Sequence, residues 1–191
     1  MNYEIFKMIH NFSGHNQFLD KIMIFFTNYA LELFALVLIA MWFFGNTNYK
    51  RSVLYAGGTG IIALFINFLI TLVYFEPRPF VAHHIHVLLP HVADASFPSD
   101  HGTGAFAIAF ALWLRHRKIG TAMIICAFLT GFSRIWVGHH YPFDIVGSII
   151  VAILTAVSII KFSRFIDRPI NMILDVYNSI INRLKKSLPQ K

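Results

Sequence analysis

The chain is poor in charge and almost without cysteine. Of its 191 residues only 13% are charged, 57% are hydrophobic, and just nine are Asp or Glu. A soluble domain of this size needs a charged shell, so the composition excludes an ordinary water-soluble enzyme and places the chain in lipid. The one cysteine, Cys126, lies in an apolar run. Without a second thiol an intramolecular disulfide is excluded, and Cys126 is read as packing. The segment Met1–His15 lacks a basic stretch followed by a long apolar core and a small-residue cleavage site, so no removable signal peptide is expected. No repeat, low-complexity tract or linker divides the chain, which reads as one membrane domain over residues 1–191.

What is present is long apolar runs separated by basic and histidine-rich segments. A spanning helix needs about 20 mostly apolar residues. Candidates run over 19–44, 52–75, 100–114 (a short one), 119–137 and 143–162. The expected fold is therefore all-α, a polytopic membrane bundle of about five to six spans. The net charge of +7 marks cytoplasmic loops and anionic headgroup contacts rather than nucleic acid. Lys50 and Arg51 follow the first run, and Arg115, Arg117 and Lys118 separate the third from the fourth. The tail carries Lys161, Arg164, Arg168, Arg183, Lys185, Lys186 and Lys191. With five spans these groups share one side, which the positive-inside rule makes the cytoplasm. The loops 76–98 and 134–143 then face outward. So does the N-terminus, where Tyr3–Phe12 suits a short interfacial helix; the alternative is an N-terminus held inside beside a re-entrant first segment. Residues 164–191 read as an amphipathic cytoplasmic tail. Ile166, Ile170, Ile173, Leu174, Tyr177, Ile181, Leu184 and Leu188 recur there at helical spacing among basic residues. Such a helix lies on the inner leaflet or serves a protein partner. Glu32, inside the first run, is costly in lipid and is expected to face the bundle interior.

The two outer loops concentrate polar chemistry. The first holds Glu76-Pro77-Arg78-Pro79-Phe80 and, at the start of the third run, Pro98-Ser99-Asp100-His101-Gly102. The second holds Ser133-Arg134 and Gly138-His139-His140-Tyr141-Pro142-Phe143-Asp144. Phosphoryl transfer depends on cations and N–H donors for the non-bridging oxygens. Arg78 and Arg134 suit this through forked guanidinium contacts. The unpaired N–H groups at the start of the third helix form an anion site that Ser99 or Asp100 would cap, and Gly102 would let backbone approach a ligand. His140 and Asp144 stand at i and i+4, and Pro142 suits a first helical turn. On one face, the carboxylate would hold one ring N–H and leave the other nitrogen to attack phosphorus. His101 is the natural general acid for the leaving oxygen. His139 is expected to point elsewhere. The cluster His83, His84, His86 and His91 invites zinc, but no cysteine is near and no metal or other cofactor is expected.

These segments resemble the three signature motifs of the type 2 phosphatidic acid phosphatase superfamily. Those motifs are a lysine, six residues and Arg-Pro; then Pro-Ser-Gly-His; then Ser-Arg, five residues, His, three residues and Asp. Ser133, Arg134, His140 and Asp144 match the third in full. The second reads Pro98-Ser99-Asp100-His101, with Asp100 in place of glycine. The first keeps Arg78-Pro79 but has Thr71 where lysine is expected. The resemblance implies a helical bundle, usually of six spans, and a metal-free mechanism with His140 as nucleophile, Asp144 as its partner and His101 as acid. Arg78, Arg134, Ser99, Asp100, Gly102 and Thr71 are the implied substrate contacts. The chain is further similar to the bacitracin-resistance type of undecaprenyl pyrophosphate phosphatases, which implies a polyprenyl pyrophosphate as substrate at the outer membrane face. Phosphatidylglycerophosphate and phosphatidic acid are the alternative substrates. A lipid transporter or binding protein is the alternative of another class.

Overall fold

Apolar residues at helical spacing, punctuated by asparagine and glycine, set out the helices. The structure, a computed structural model, describes residues 1–83 and 85–187, the last three by backbone alone. His84, Leu188 and Lys191 lie outside the described residues, as do the side chains of Lys185 and Lys186. The order is α1 (Asn2–His10), α2 (Gln17–Phe44), α3 (Thr47–Val73), α4 (Pro79–Ala82), α5 (Asp100–Arg115), α6 (Arg117–Trp136), α7 (Pro142–Lys161) and α8 (Ser163–Ser187). Asn16 starts α2 by accepting from the N–H groups of Phe18 and Leu19, at 3.0 and 3.2 Å. Asn46 does the same for α3 through Asn48 and Tyr49.

The chain is an all-α, multi-pass membrane protein. α2, α3, α6 and α7 are each long and apolar enough to cross a membrane. α5 is not: its 16 residues rise about 24 Å against a hydrocarbon core of about 30 Å. It packs against α6, α3, α7 and α2. Its Ala105, Ala107, Ala109 and Ala111 are buried, and such small side chains let neighbouring helices close in. α5 is thus the central helix, with protein rather than lipid around it. Five helices, α2, α3, α5, α6 and α7, make up the bundle; α1, with nine residues, does not supply a sixth span. It packs on α6 and α7 instead, through the buried Phe6.

Charge and packing distinguish the two ends. Gly45 and Asn46, His116, and Phe162 make the tight connections at one end, among the basic residues. There Arg51 pairs with Asp167 at 2.7 Å, and Tyr55 donates to the same carboxylate at 3.0 Å. Ile170 and Leu174 of α8 are buried against Tyr55, so part of the tail's apolar face meets protein. Phe165, Met172, Val176 and Ile180 stay exposed.

Glu32 corrects an expectation. Asp20, Met23, Thr27, Ala30, Phe34 and Met41 take the inward face of α2, and Glu32 falls on the exposed side. The helical period leaves no other place for it once that stripe is packed.

Candidate active site

Loop 74–99 and the turn 137–141 meet at the end of the bundle opposite the basic connections. The loop is pinned by the Pro77–Ala95 bridge and by the Ser96 N–H donating to the Glu76 carbonyl at 2.8 Å. This holds Arg78 over the turn. The Arg78 side chain is buried, not extended to the interface as a snorkelling cation would be. Its Nη1 donates to His140 Nε2 at 2.9 Å and to the His139 carbonyl at 3.1 Å. Its Nε donates to Asp94 at 2.6 Å.

His140 is buried, and its contacts assign its tautomer. A guanidinium only donates, so Nε2 must carry the lone pair and Nδ1 the proton. Nδ1–H then donates to the Ser96 carbonyl at 2.9 Å, with Asp144 Oδ2 at 3.2 Å. Burial, then the charges of Arg134 and Arg78, push the His140 pKa well below the usual imidazole range, so the ring is neutral. Burial and Arg134 likewise take His139 down to about 3. His139 turns elsewhere, with its Nε2–H on the Leu89 carbonyl at 2.9 Å.

Asp144 serves two ends at once. Its Oδ2 accepts from the Tyr141 N–H at 2.8 Å, closing the first turn of α7, and from Ser96 Oγ at 2.5 Å. The i, i+4 spacing on that turn brings the same oxygen to His140.

Arg134, near the end of α6, is buried and gives Nη2 to His91 Nε2 at 2.9 Å. Its Nε is buried with no protein partner, a donor left over for an anion. Ser133 is structural: it accepts from Thr27 and donates to the Thr130 carbonyl, joining α2 to α6.

The N-terminus of α5 completes the site. Ser99, not Asp100, is its cap, with Oγ accepting from the Gly102 N–H at 3.3 Å. Gly102 is buried where an added Cβ would come within 3.1 Å of Ser148 Oγ, so its missing side chain serves the approach of α7. Asp100 pairs with the Asn67 amide at 3.0 Å rather than with an arginine. Thr71, Asp100 and His101 share a cleft of about 270 Å³ with Leu31, Leu64 and Phe68, between α2 and α3. Thr71 spends its hydroxyl on the Phe68 carbonyl.

The histidine cluster separates. His83 stacks on Tyr3, the His86 carbonyl accepts from His10, and His91 meets Arg134. Among the described residues no three His, Cys, Asp or Glu side chains converge as a metal site requires. Sequence reasoning missed Ser96, Asp94 and Asn67. Their partners lie 16 to 48 residues away, so no local spacing marks them.

The residues brought together are a neutral imidazole whose unprotonated nitrogen is defined, two buried guanidinium groups and a helix N-terminus, with His101 in the first turn of that helix. That set can bind an anion, attack it and protonate what leaves. Comparison with known proteins bears on the family and the fold. The model of the PAP2 superfamily matches residues 52–168. Undecaprenyl-diphosphatase BcrC of Bacillus subtilis (strain 168) is 58% identical over 186 residues, 97% of this chain and 96% of that one. Aquifex aeolicus LpxE superposes with a TM-score of 0.66 at 26% identity, covering 84% of this chain and 94% of that one. A transmembrane PAP2 type phosphatidylglycerolphosphate phosphatase from Bacillus subtilis superposes with a TM-score of 0.61 at 18% identity, covering 86% and 85%; this second likeness bears on the fold alone.

Proposed function

The chain belongs to the PAP2 superfamily, and we propose that it is a membrane-integral undecaprenyl-diphosphate phosphatase, releasing phosphate from undecaprenyl pyrophosphate to leave undecaprenyl phosphate. The substrate follows from the 58% identity to BcrC over nearly the whole chain. The reaction is carried by one observation: His140 Nε2 holds a lone pair beside the Arg78 guanidinium, with Nδ1–H fixed on the opposite side.

The terminal phosphoryl group enters between Arg78 and Arg134. Arg78 turns its Nη1 from Nε2 to a phosphoryl oxygen, which frees the nucleophile. Burial and Arg134 keep the His101 imidazole neutral before substrate arrives, and the negative charge of the bound pyrophosphate lets it take a proton from solvent. As Nε2 attacks phosphorus and the bond to the bridging oxygen breaks, His101 gives that oxygen this proton. Arg78, Arg134 and the α5 N-terminus take up charge on the non-bridging oxygens. His101 then removes a proton from water, which hydrolyses the phosphohistidine and returns His140 to its neutral form. No step calls for a metal ion. The basic connections at the far end of the bundle support an extracytoplasmic site, since they belong on the cytoplasmic side. α8 would then rest on the cytoplasmic leaflet by the exposed Phe165, Met172, Val176 and Ile180. The activity suits recycling of the lipid carrier in cell-wall synthesis and resistance to bacitracin.

The test is phosphate release by purified protein in chelator, with phosphatidylglycerophosphate and phosphatidic acid as comparison substrates. The expected result is preferred turnover of undecaprenyl pyrophosphate, with His140→Ala falling at least about 10³-fold as loss of a nucleophile implies. Full activity in His140→Ala, or none in chelator, would overturn the mechanism; preference for another lipid would overturn the substrate.

A further inference from the structure

We propose that Ser96 is a positioning residue for the nucleophile, holding the His140 ring with its carbonyl and the Asp144 carboxylate with its hydroxyl. The inference rests on His140 being the nucleophile, as argued above. The nearest acceptor for His140 Nδ1–H is the Ser96 carbonyl at 2.9 Å; the Asp144 oxygen lies farther, at 3.2 Å. The Ser96 hydroxyl reaches the same Asp144 Oδ2 at 2.5 Å. Oδ2 thus gathers Ser96 Oγ–H, the Tyr141 N–H and the imidazole, while Oδ1 is buried without a partner. One residue therefore supplies the ring's first acceptor and fixes its second.

The backbone explains how Ser96 can do this. Its N–H is held by the Glu76 carbonyl at 2.8 Å, beside the Pro77–Ala95 bridge. The segment that presents Arg78 to the phosphate is bonded to the segment that presents Ser96 to the nucleophile. Binding group and nucleophile are thereby set in one frame. Ser96 is fully buried, so it acts through His140 and Asp144 rather than on the substrate.

The chemical role follows from the tautomer. When Nε2 bonds to phosphorus with Nδ1–H retained, the ring becomes positively charged. A carbonyl dipole and a fixed carboxylate on the Nδ1 side stabilise that charge and keep the ring aimed. Loss of the hydroxyl leaves the carbonyl but frees the carboxylate. A hydrogen bond to a charged group of this kind corresponds to a fall of roughly 10- to 100-fold.

Ser96→Ala should lower kcat on undecaprenyl pyrophosphate by about that factor, with KM and orthovanadate inhibition within about twofold of the parent protein. Ser96→Thr, which keeps the hydroxyl, should recover most of the rate. In a cycle with Asp144→Asn, the double variant should be little worse than the poorer single one, because both act on the same ring. A kcat within threefold of the parent protein, losses that multiply in the double variant, or a parallel rise in KM and vanadate sensitivity lost would overturn the assignment. His140→Ala assayed alongside separates the readings. If it is inactive while Ser96→Ala is not impaired, only the role of Ser96 fails. If it is active, the nucleophile itself was misassigned.

Discussion

Asp94 places a carboxylate against Arg78, the proposed phosphate contact, and neutralising it tests that proposal directly. The Arg78 side chain is 6% exposed, and its Nε holds an Asp94 oxygen at 2.6 Å; the Asp94 side chain is 58% exposed. Burial works against the ionised form of Asp94, but the Arg78 hydrogen bond and charge outweigh it and hold the carboxyl below its usual range. It is therefore charged at neutral pH. Between the limits for water and a protein surface, such a pair attracts by about 1 to 4 kcal/mol. The exposure of Asp94 takes that to the low end, about 1 kcal/mol. A phosphoryl group that takes Nη1 of Arg78 meets this carboxylate on Nε of the same guanidinium, and the two anions compete for its charge. In Asp94→Asn, KM for undecaprenyl pyrophosphate and the half-inhibitory vanadate concentration should both fall, by roughly fivefold. Initial rates in mixed micelles at several salt concentrations measure this, and the effect should shrink as salt screens the pair. A KM that rises instead would refute the reasoning, because it would mean that Asp94 orients Arg78 for the substrate rather than competing with it.

Acid should weaken the fold at this site. His139 and His140 are neutral when folded, with His139 down to about 3, whereas an unfolded histidine titrates near 6.5. Below about pH 6.5 the unfolded chain takes up protons that the folded site refuses, so stability is complete above that pH and is lost as pH falls toward the folded values. The slope is up to about 1.4 kcal/mol per pH unit for each group, and thermal unfolding in detergent should show a lower Tm at pH 5.5 than at pH 7.5. A Tm unchanged across that range would contradict the buried neutral pair. At the other end of the bundle, a Cβ on Gly120 would stand 2.1 Å from Trp113 Cα, so Gly120→Ala must push α6 off α5. Overpacking of this kind costs about 3 kcal/mol, or roughly 6–12 °C in Tm, and an unaltered melting curve would show that α5 and α6 are not so close.

The sequence alone determined the solvent and the reaction class of this protein. Apolar runs of spanning length leave few ways to satisfy backbone hydrogen bonds other than membrane helices. The basic residues fall at alternate connections, so they sort the two ends without any coordinates. His140 and Asp144 were legible as a pair because helical geometry puts i and i+4 on one face. A cap at Ser99 or Asp100 was legible because a helix start leaves N–H groups unpaired; the structure chose Ser99. Glu32 was misjudged because a single polar residue does not reveal which side of its helix packs; Met23, Thr27, Ala30 and Phe34 decided that together. Only the tertiary structure showed what surrounds His140. Ser96, Asp94 and His91 reach the arginines, the imidazole and its carboxylate across segments distant in the chain, where no period links the partners. The ring's tautomer was likewise beyond the sequence, since it follows from Arg78 on one nitrogen and the Ser96 carbonyl on the other. The residue types told that a phosphate could be attacked; the fold told which His140 nitrogen carries the lone pair and what holds the ring.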